Sequence, residues 1–459
     1  MSSQLFRGHR TIALGVACAL ALPLAAQAQD STHEQQLEQR VDQLQQQLDE
    51  LKQVVQEQKA AAATAAKAAP QNVAAAPAKP VFTSAPGVSV ALHGFISATA
   101  FSQDKSFYFG NGQFAEFPLP GSSGRLSGVD VRNTRFWLDF SGAKFAGDWT
   151  GGGRIEMDFF GGFNGTGPFS QQQATPRLRQ AYMDLDNADT GTKIRLGQQW
   201  ELMFPIDNGP SSLSHIAFPL GFGTGMVGWR FPGVVVMQDL NHGSAGPQWR
   251  LDLGAFEGSW NGPGDNVNYL TAGSTGFRPQ LEARLHVQDG KTWLAYIAAH
   301  YSQVDLRGVG ATVVAPIKDK VESVGYEVGG QWKPGAFTLK GLVYRGKGLG
   351  EIFGDLVQFG DIQDTGGYAQ VGYSFTPHWS ANLFYGMSKP DQHDVIAWLG
   401  HGSVGRLESR QSALQLQYAS GAYDLGIEWM HAKLDSTSNG VDRKSTSGNQ
   451  VSVSALYHF

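Results

Sequence analysis

The chain has 459 residues, a formal net charge of −5, 58 glycines, 11% aromatic and only 16% charged residues. Average usage is about 7% glycine and about 25% charged, so the excess of glycine and the shortage of charge suit a β-rich chain with many turns. The weakly negative balance excludes nucleic acid as an expected partner.

The first residues read as a secretory signal over 1–28. Arg7, His9 and Arg10 make a basic start, residues 11–25 are apolar, and Ala26-Gln27-Ala28 fits the small-x-small cleavage pattern. The single Cys18 lies inside this signal, so the predicted mature chain carries no disulfide. No later run approaches the roughly 18 apolar residues of a membrane helix. A chain without one can still span a membrane as a closed β-barrel.

Residues 29–59 are predicted to form a short coiled coil. Leu37, Val41, Leu44, Leu48, Leu51 and Val55 recur at a/d spacing, and nearly everything between them is polar. So narrow an apolar stripe does not fold alone, so the helix either self-associates or packs on the main domain. Arg40-Val41-Asp42-Gln43-Leu44-Gln45 is one residue from a pattern found in trimeric coils, with Gln45 in place of Glu. Residues 60–86 are an Ala/Pro-rich linker in which Pro70, Pro77 and Pro80 stop the helix.

From 87 to 459 one pattern recurs. Sixteen strands are predicted, at 88–101, 131–141, 149–161, 178–187, 192–200, 226–239, 248–258, 278–288, 292–305, 321–333, 336–346, 367–376, 379–389, 408–419, 422–434 and 448–459. They alternate with period two: Leu281, Ala283, Leu285 and Val287 oppose Gln280, Glu282, Arg284 and His286, and Val451, Val453, Ala455 and Tyr457 oppose Ser452, Ser454 and His458. Short and long connections also alternate, with both ends of the region on the short side. Short turns, long loops and an even strand count are the pattern of an outer-membrane barrel. Trp149, Trp249, Trp293, Trp332 and Trp379 fall at the short-turn ends, where an interfacial aromatic girdle belongs. A soluble sandwich would not hold Arg135, Arg154, Arg195 and Arg284 inside an otherwise apolar shell; a water-filled lumen accounts for both faces. The fold class is therefore all-β: a 16-stranded antiparallel transmembrane β-barrel over 87–459, preceded by the short N-terminal coiled-coil helix.

The coil LEQRVDQLQQQLDELK, the linker, the first strand LHGFISATA, the block PRLRQAYMDL with IRLGQQW, and the terminal strand closed by Phe459 together resemble the DcaP-like trimeric outer-membrane porins of Gram-negative bacteria. The resemblance implies a sixteen-stranded homotrimeric porin in outer-membrane lipid, its coil in the periplasm, with an arginine-lined constriction favouring small anionic solutes such as dicarboxylates. It implies passive diffusion, with no cofactor. Phosphate-selective porins also begin with a coil, so a phosphate-selective or general porin remains an alternative. A structural barrel that tethers the outer membrane through its coil is another.

Strand parity puts Arg135, Arg154, Arg195, Arg250, Arg278, Arg284 and Lys340 on the lumen wall. Arg177 and Arg179 share parity with the lipid-facing Ala181, Met183 and Leu185. Either a bulge reverses the phase, or they lie at the outer rim or a subunit contact. Arg230, between Trp229 and Pro232, is uncertain in phase and is kept with Arg179 as a pore-lining candidate. The 25-residue stretch 201–225 is long enough to fold into the lumen, which makes Glu201, Asp207 and His215 constriction-loop candidates. Each arginine has a plainer reading, since Asp139, Glu156, Asp158, Asp184 and Glu282 are available to neutralise the wall. Enzymatic readings fail on the residues: no Ser/His/Asn set shares an outer face, Asp184–Gly191 lacks the acceptors of a calcium loop, and no catalytic or metal residue is assigned.

Overall fold

The structure, a computed structural model, describes residues 81–85, 87–162, 173–257, 279–305 and 317–459. The signal, the coiled coil, residues 60–80 of the linker and Arg278 lie outside the described residues.

Eighteen strands follow in chain order: β1 (Val81–Ala85), β2 (Val88–Gln103), β3 (Leu126–Asp130), β4 (Arg135–Lys144), β5 (Trp149–Asp158), β6 (Arg177–Asn187), β7 (Thr192–Trp200), β8 (Arg230–Asp239), β9 (Gln248–Phe256), β10 (Gln280–Asp289), β11 (Trp293–Asp305), β12 (Lys320–Trp332), β13 (Phe337–Lys347), β14 (Gln363–Ser374), β15 (Trp379–Pro390), β16 (Arg406–Ser420), β17 (Tyr423–Thr437) and β18 (Arg443–His458). From β4 onward each pairs antiparallel with the next, and β18 returns to β2. The sheet is closed. β3 and β4 are one wall strand broken between them: β3 pairs with Thr99–Gln103 of β2 and β4 with Ser89–Phe95. That leaves sixteen wall strands, as the alternation predicts.

β1 is the addition. Val81–Ala85 closes the stretch read as linker, yet it pairs with Val88–Ala91 across the turn at Gly87 (φ 77°). Val, Phe and Thr suit a strand, and the adjacent edge of β2 is open there because β18 stops at Phe95. At that seam the amide of Phe459 donates to the Gly94 carbonyl at 3.0 Å. A Cβ on Gly94 would lie 2.5 Å from Phe459 Cζ and 2.6 Å from the Arg135 carbonyl oxygen, so only glycine fits.

The two faces differ as a barrel requires. Met183, Leu196, Leu253, Leu281, Ile297, Val328, Val343, Leu383, Leu414 and Val453 stand exposed on the outside. Glu282, Arg284, His286, Glu327, Gln370, Gln415 and Glu428 are buried within. A continuous apolar exterior round a polar interior is stable in lipid, not in water. Trp293 pairs across strands with Trp332, and Trp379 with Tyr418, at the short-turn ends.

Candidate functional site: the cationic wall and the loops that face it

The main hydrophobic cluster lies inside the barrel, built largely from chain connections. Residues 201–229, between β7 and β8, supply Leu202, Met203, Phe204, Ala217, Phe218, Leu220, Phe222, Met226 and Val227. This segment crosses to the opposite wall. Asn208 Nδ2 donates to the Gly341 carbonyl at 2.9 Å and the Ser211 amide to Gln370 Oε1 at 2.7 Å. Ser212 Oγ donates to Glu428 Oε2 at 2.6 Å. Ser214 Oγ lies 2.5 Å from Ser452 Oγ. His215 Nδ1 is 2.7 Å from Glu428 Oε1. The expected lumen loop is present, and His215 fastens it rather than facing the pore. Asp207 is exposed on it.

Two further long connections also enter the lumen. Residues 348–362, after β13, bury Leu349, Ile352, Leu356 and Ile362, and the Gly228 amide donates to the Ile352 carbonyl at 2.7 Å. So many apolar side chains are unsuited to a solvated loop, and that was the available signal. Asp355, Leu356 and Val357 in succession hold positive φ (52°, 54° and 57°), a conformation that bulky residues adopt only under tertiary constraint. Residues 104–125, after β2, bury Phe107, Glu116 and Phe117, and Phe114 stacks on Phe218 at 3.7 Å between centroids. Arg406 ties these two segments together. Its Nη1 donates to the Leu356 carbonyl at 2.7 Å, and its guanidinium lies within 4.8–5.2 Å of the Tyr108, Phe117 and Phe109 rings. Burial pushes the Glu116 carboxyl well above the ordinary carboxylate range, against the pull of Arg406.

Facing the loops is a cationic cluster from β4, β5, β6 and β8. A bulge in β6 creates it: Glu156 pairs with Gln180 but Met157 with Leu178, so Arg179 is the extra residue. The phase of β6 reverses there. Leu178 points out, and both Arg177 and Arg179 point in, which settles the alternatives left by parity. Arg179 donates from Nε to Glu156 Oε1 at 2.5 Å and from Nη1 to Asp158 Oδ2 at 2.8 Å. Arg177 forks onto Asp158 at 3.0 and 2.7 Å. Arg135 reaches no closer than 3.9 Å to Glu156, and its Nε and Nη2 have no hydrogen-bond partner. Arg230 is buried and inward; its Nε and Nη1 are likewise unpartnered. Its guanidinium sits over Trp229 at 4.2 Å and Trp200 at 4.6 Å, which holds the charge by its face. Four guanidiniums thus meet two carboxylates.

Among the described residues the other predicted wall cations are paired or occupied. Arg154 forks onto Asp139 at 2.7 and 3.0 Å, and Arg195 onto Asp184 at 2.7 and 2.8 Å. Arg250 and Arg284 share Asp252. Lys340 Nζ donates to the Gly209 carbonyl and Ser211 Oγ, both at 3.0 Å, so it anchors the loop. Lys193, Arg195, Arg250, Arg284 and Asp207 nevertheless line one cavity of about 520 Å³ beside the short turns. Glu201 is buried at the root of the loop, beside Glu282 and His300.

No protein-family model matches the chain, and no curated protein matches it in sequence. Solved structures do match in fold. The outer membrane channel DcaP of Acinetobacter baumannii is 20% identical, with a TM-score of 0.62 over 82% of this chain and 99% of that one. An anion-selective porin from Comamonas acidovorans is 15% identical, with a TM-score of 0.53 over 81% and 100%. OmpF of Salmonella typhi, in complex with daunomycin, is 13% identical, with a TM-score of 0.51 over 83% and 100%. The chain therefore has the porin barrel fold, as the sequence resemblance implied.

Proposed function

We propose that this protein is an outer-membrane porin that passes small organic anions, dicarboxylates among them, by diffusion. One observation carries the reading. Arg135 and Arg230 keep four buried guanidinium nitrogens without a hydrogen-bond partner, in an inward-facing cluster whose guanidiniums outnumber its carboxylates. Buried donors without acceptors are costly, and a passing carboxylate supplies the acceptor in the planar geometry that guanidinium favours. A cationic narrows between low-dielectric walls concentrates anions. The anion selectivity in the name of the Comamonas porin agrees with this reading. We further infer a homotrimer with the coil of 29–59 in the periplasm, exported by the signal of 1–28.

Planar-bilayer recording across a salt gradient tests it. An anion-selective reversal potential, conductance in triplets and block by succinate are expected. Preferential block by phosphate would point to a phosphate porin, and cation selectivity would remove the arginine argument. A second reading, a structural barrel, draws on the three segments packed in the lumen; a protein silent at every voltage would favour it.

A further inference from the structure

We propose that Glu201, Glu282 and His300, with Gln280, form a divalent-cation site of zinc-like preference at the root of the lumen loop. The site is independent of what the barrel conducts. Glu201 opens the loop, Gln280 and Glu282 stand on β10, and His300 stands on β11. All four are buried, and the candidate ligand atoms of the two glutamates and the histidine lie within 4.8 Å of one another.

The orientation of each group is that of a ligand held from behind. Glu201 Oε1 accepts from the Trp229 amide at 3.2 Å. Glu282 Oε2 accepts from the Leu202 amide at 2.6 Å. His300 Nε2 lies 2.9 Å from Ser323 Oγ. Each group thus spends one atom on an outer partner and turns Glu201 Oε2, Glu282 Oε1 and His300 Nδ1 toward one another, with His300 Nδ1 2.9 Å from Glu282 Oε1. Outer-shell bonds of this kind fix ligand geometry in metal sites.

Gln280 supplies the second observation. It is 1% exposed, and its amide oxygen is buried without a partner. Its amide nitrogen lies 2.5 Å from Glu201 Oε2 and 2.8 Å from Glu282 Oε1. A half-turn of that amide exchanges the two atoms: it gives up the two donor bonds to the carboxylates, which an ion would replace, and aims the oxygen into the cluster as a fourth ligand. Charge points the same way. Among the described residues no arginine or lysine pairs with Glu201 or Glu282. Glu351 adds a further acid, joined through Ser302 Oγ to the His300 ring at 2.9 and 3.3 Å. Glu282 is offset by the His300 ring 2.9 Å away, while Glu201 has no basic partner among the described residues, and a buried carboxylate without one is costly. One imidazole with carboxylates suits zinc better than calcium or magnesium, which take oxygen alone. Bound there, the ion would pin the first residue of the loop to β10 and β11.

The test uses the full chain, stripped with EDTA and titrated with Zn²⁺ alone by calorimetry and thermal unfolding. Expected are one ion per chain, a raised unfolding temperature, and a visible absorption band when Co²⁺ is used instead. His300→Ala and Glu282→Gln should weaken binding about 10–100-fold or more. His300→Cys, which restores a ligand, should keep it. His393→Ala, in the exposed Asp391/His393/Asp394 group, should leave one ion per chain. Heat-modifiable mobility on gels checks that each variant folds. If a variant does not, the wild-type Co²⁺ band decides: its absence overturns the site. So does zinc loss in His393→Ala with retention in His300→Ala, which would mean an adventitious ion only. Absence of saturable binding would mean a carboxyl pair held by a shared proton.

Discussion

Arg179 donates to Glu156 at 2.5 Å, while Arg135, facing the same carboxylate, stands 3.9 Å away. One acid therefore serves one arginine and leaves the other with open donors. This asymmetry separates structural cations from functional ones. Arg135→Gln and Arg230→Gln should each lower chloride-over-potassium permeability, by roughly 2–10-fold at low salt. Arg154→Gln and Arg195→Gln, which remove one member of a neutral pair, should change it little. Reversal potentials read the difference, and equal effects in all four would sink the assignment.

Removing Arg179 itself should act on stability. It leaves Glu156 and Asp158 buried beside fewer cations, a loss of about 3–5 kcal/mol for a broken buried pair. Arg179→Ala should unfold at lower denaturant than Arg154→Ala, whose partner Asp139 is partly solvated. Urea titration in detergent measures it.

Much of this was legible in the chain. Leu281 to Val287 against Gln280 to His286 alternate without a break, and β10 runs over Gln280–Asp289 against the expected 278–288. Among the described residues, phase is hard to read where the backbone departs from period two and at Arg230. Parity alone leaves Arg179 between a bulge and an outward position, because a single inserted residue reverses everything before it and a bulge is a property of the β5–β6 pair, not of β6 alone. Arg230 looked ambiguous because Trp229 and Pro232 flank it, and its burial depends on rings from β7 and the loop. The insertion of 348–362 depends on a cavity that exists only once the wall has closed, so strand patterning does not reach it, although Leu349, Ile352, Leu356 and Ile362 hinted at it.

The loop around Asp355 should respond to pH. Burial first, then the neighbouring Asp364 carboxylate, holds the Asp355 carboxyl well above its ordinary range; Asp394 adds in the same direction, and amide donation from Gly350 opposes. The unfolded carboxyl titrates near ~4. Above that pH the opened loop releases a proton that the docked loop keeps, so docking weakens as pH rises toward the docked value and is unaffected below ~4. Hydrogen exchange at 349–357, corrected for intrinsic rate, should show falling protection with rising pH. Asp355→Asn should flatten the dependence, and an unchanged slope would refute the assignment.

The seam offers a packing test. Gly94→Ala places a methyl against the Phe459 ring and the Arg135 carbonyl. Overpacking of this kind costs about 1–3 kcal/mol. The variant should lose its compact gel mobility at lower temperature than wild type, and Phe459→Leu in the same chain should recover part of the loss.

The crossing of the lumen by residues 201–229 has a consequence for the order of assembly. Ser211, Ser212 and Ser214 bond to Gln370, Glu428 and Ser452, all on strands made much later. A chain delivered N-terminus first carries this segment long before its berth exists. It must wait in water while β8 to β18 are laid down, and contacts of such separation form slowly. The tip that waits reads Asn208-Gly209-Pro210-Ser211-Ser212, polar enough to stay solvated. The final strand then does two things at once: it shuts the cylinder against β2 and completes the far mooring of the loop.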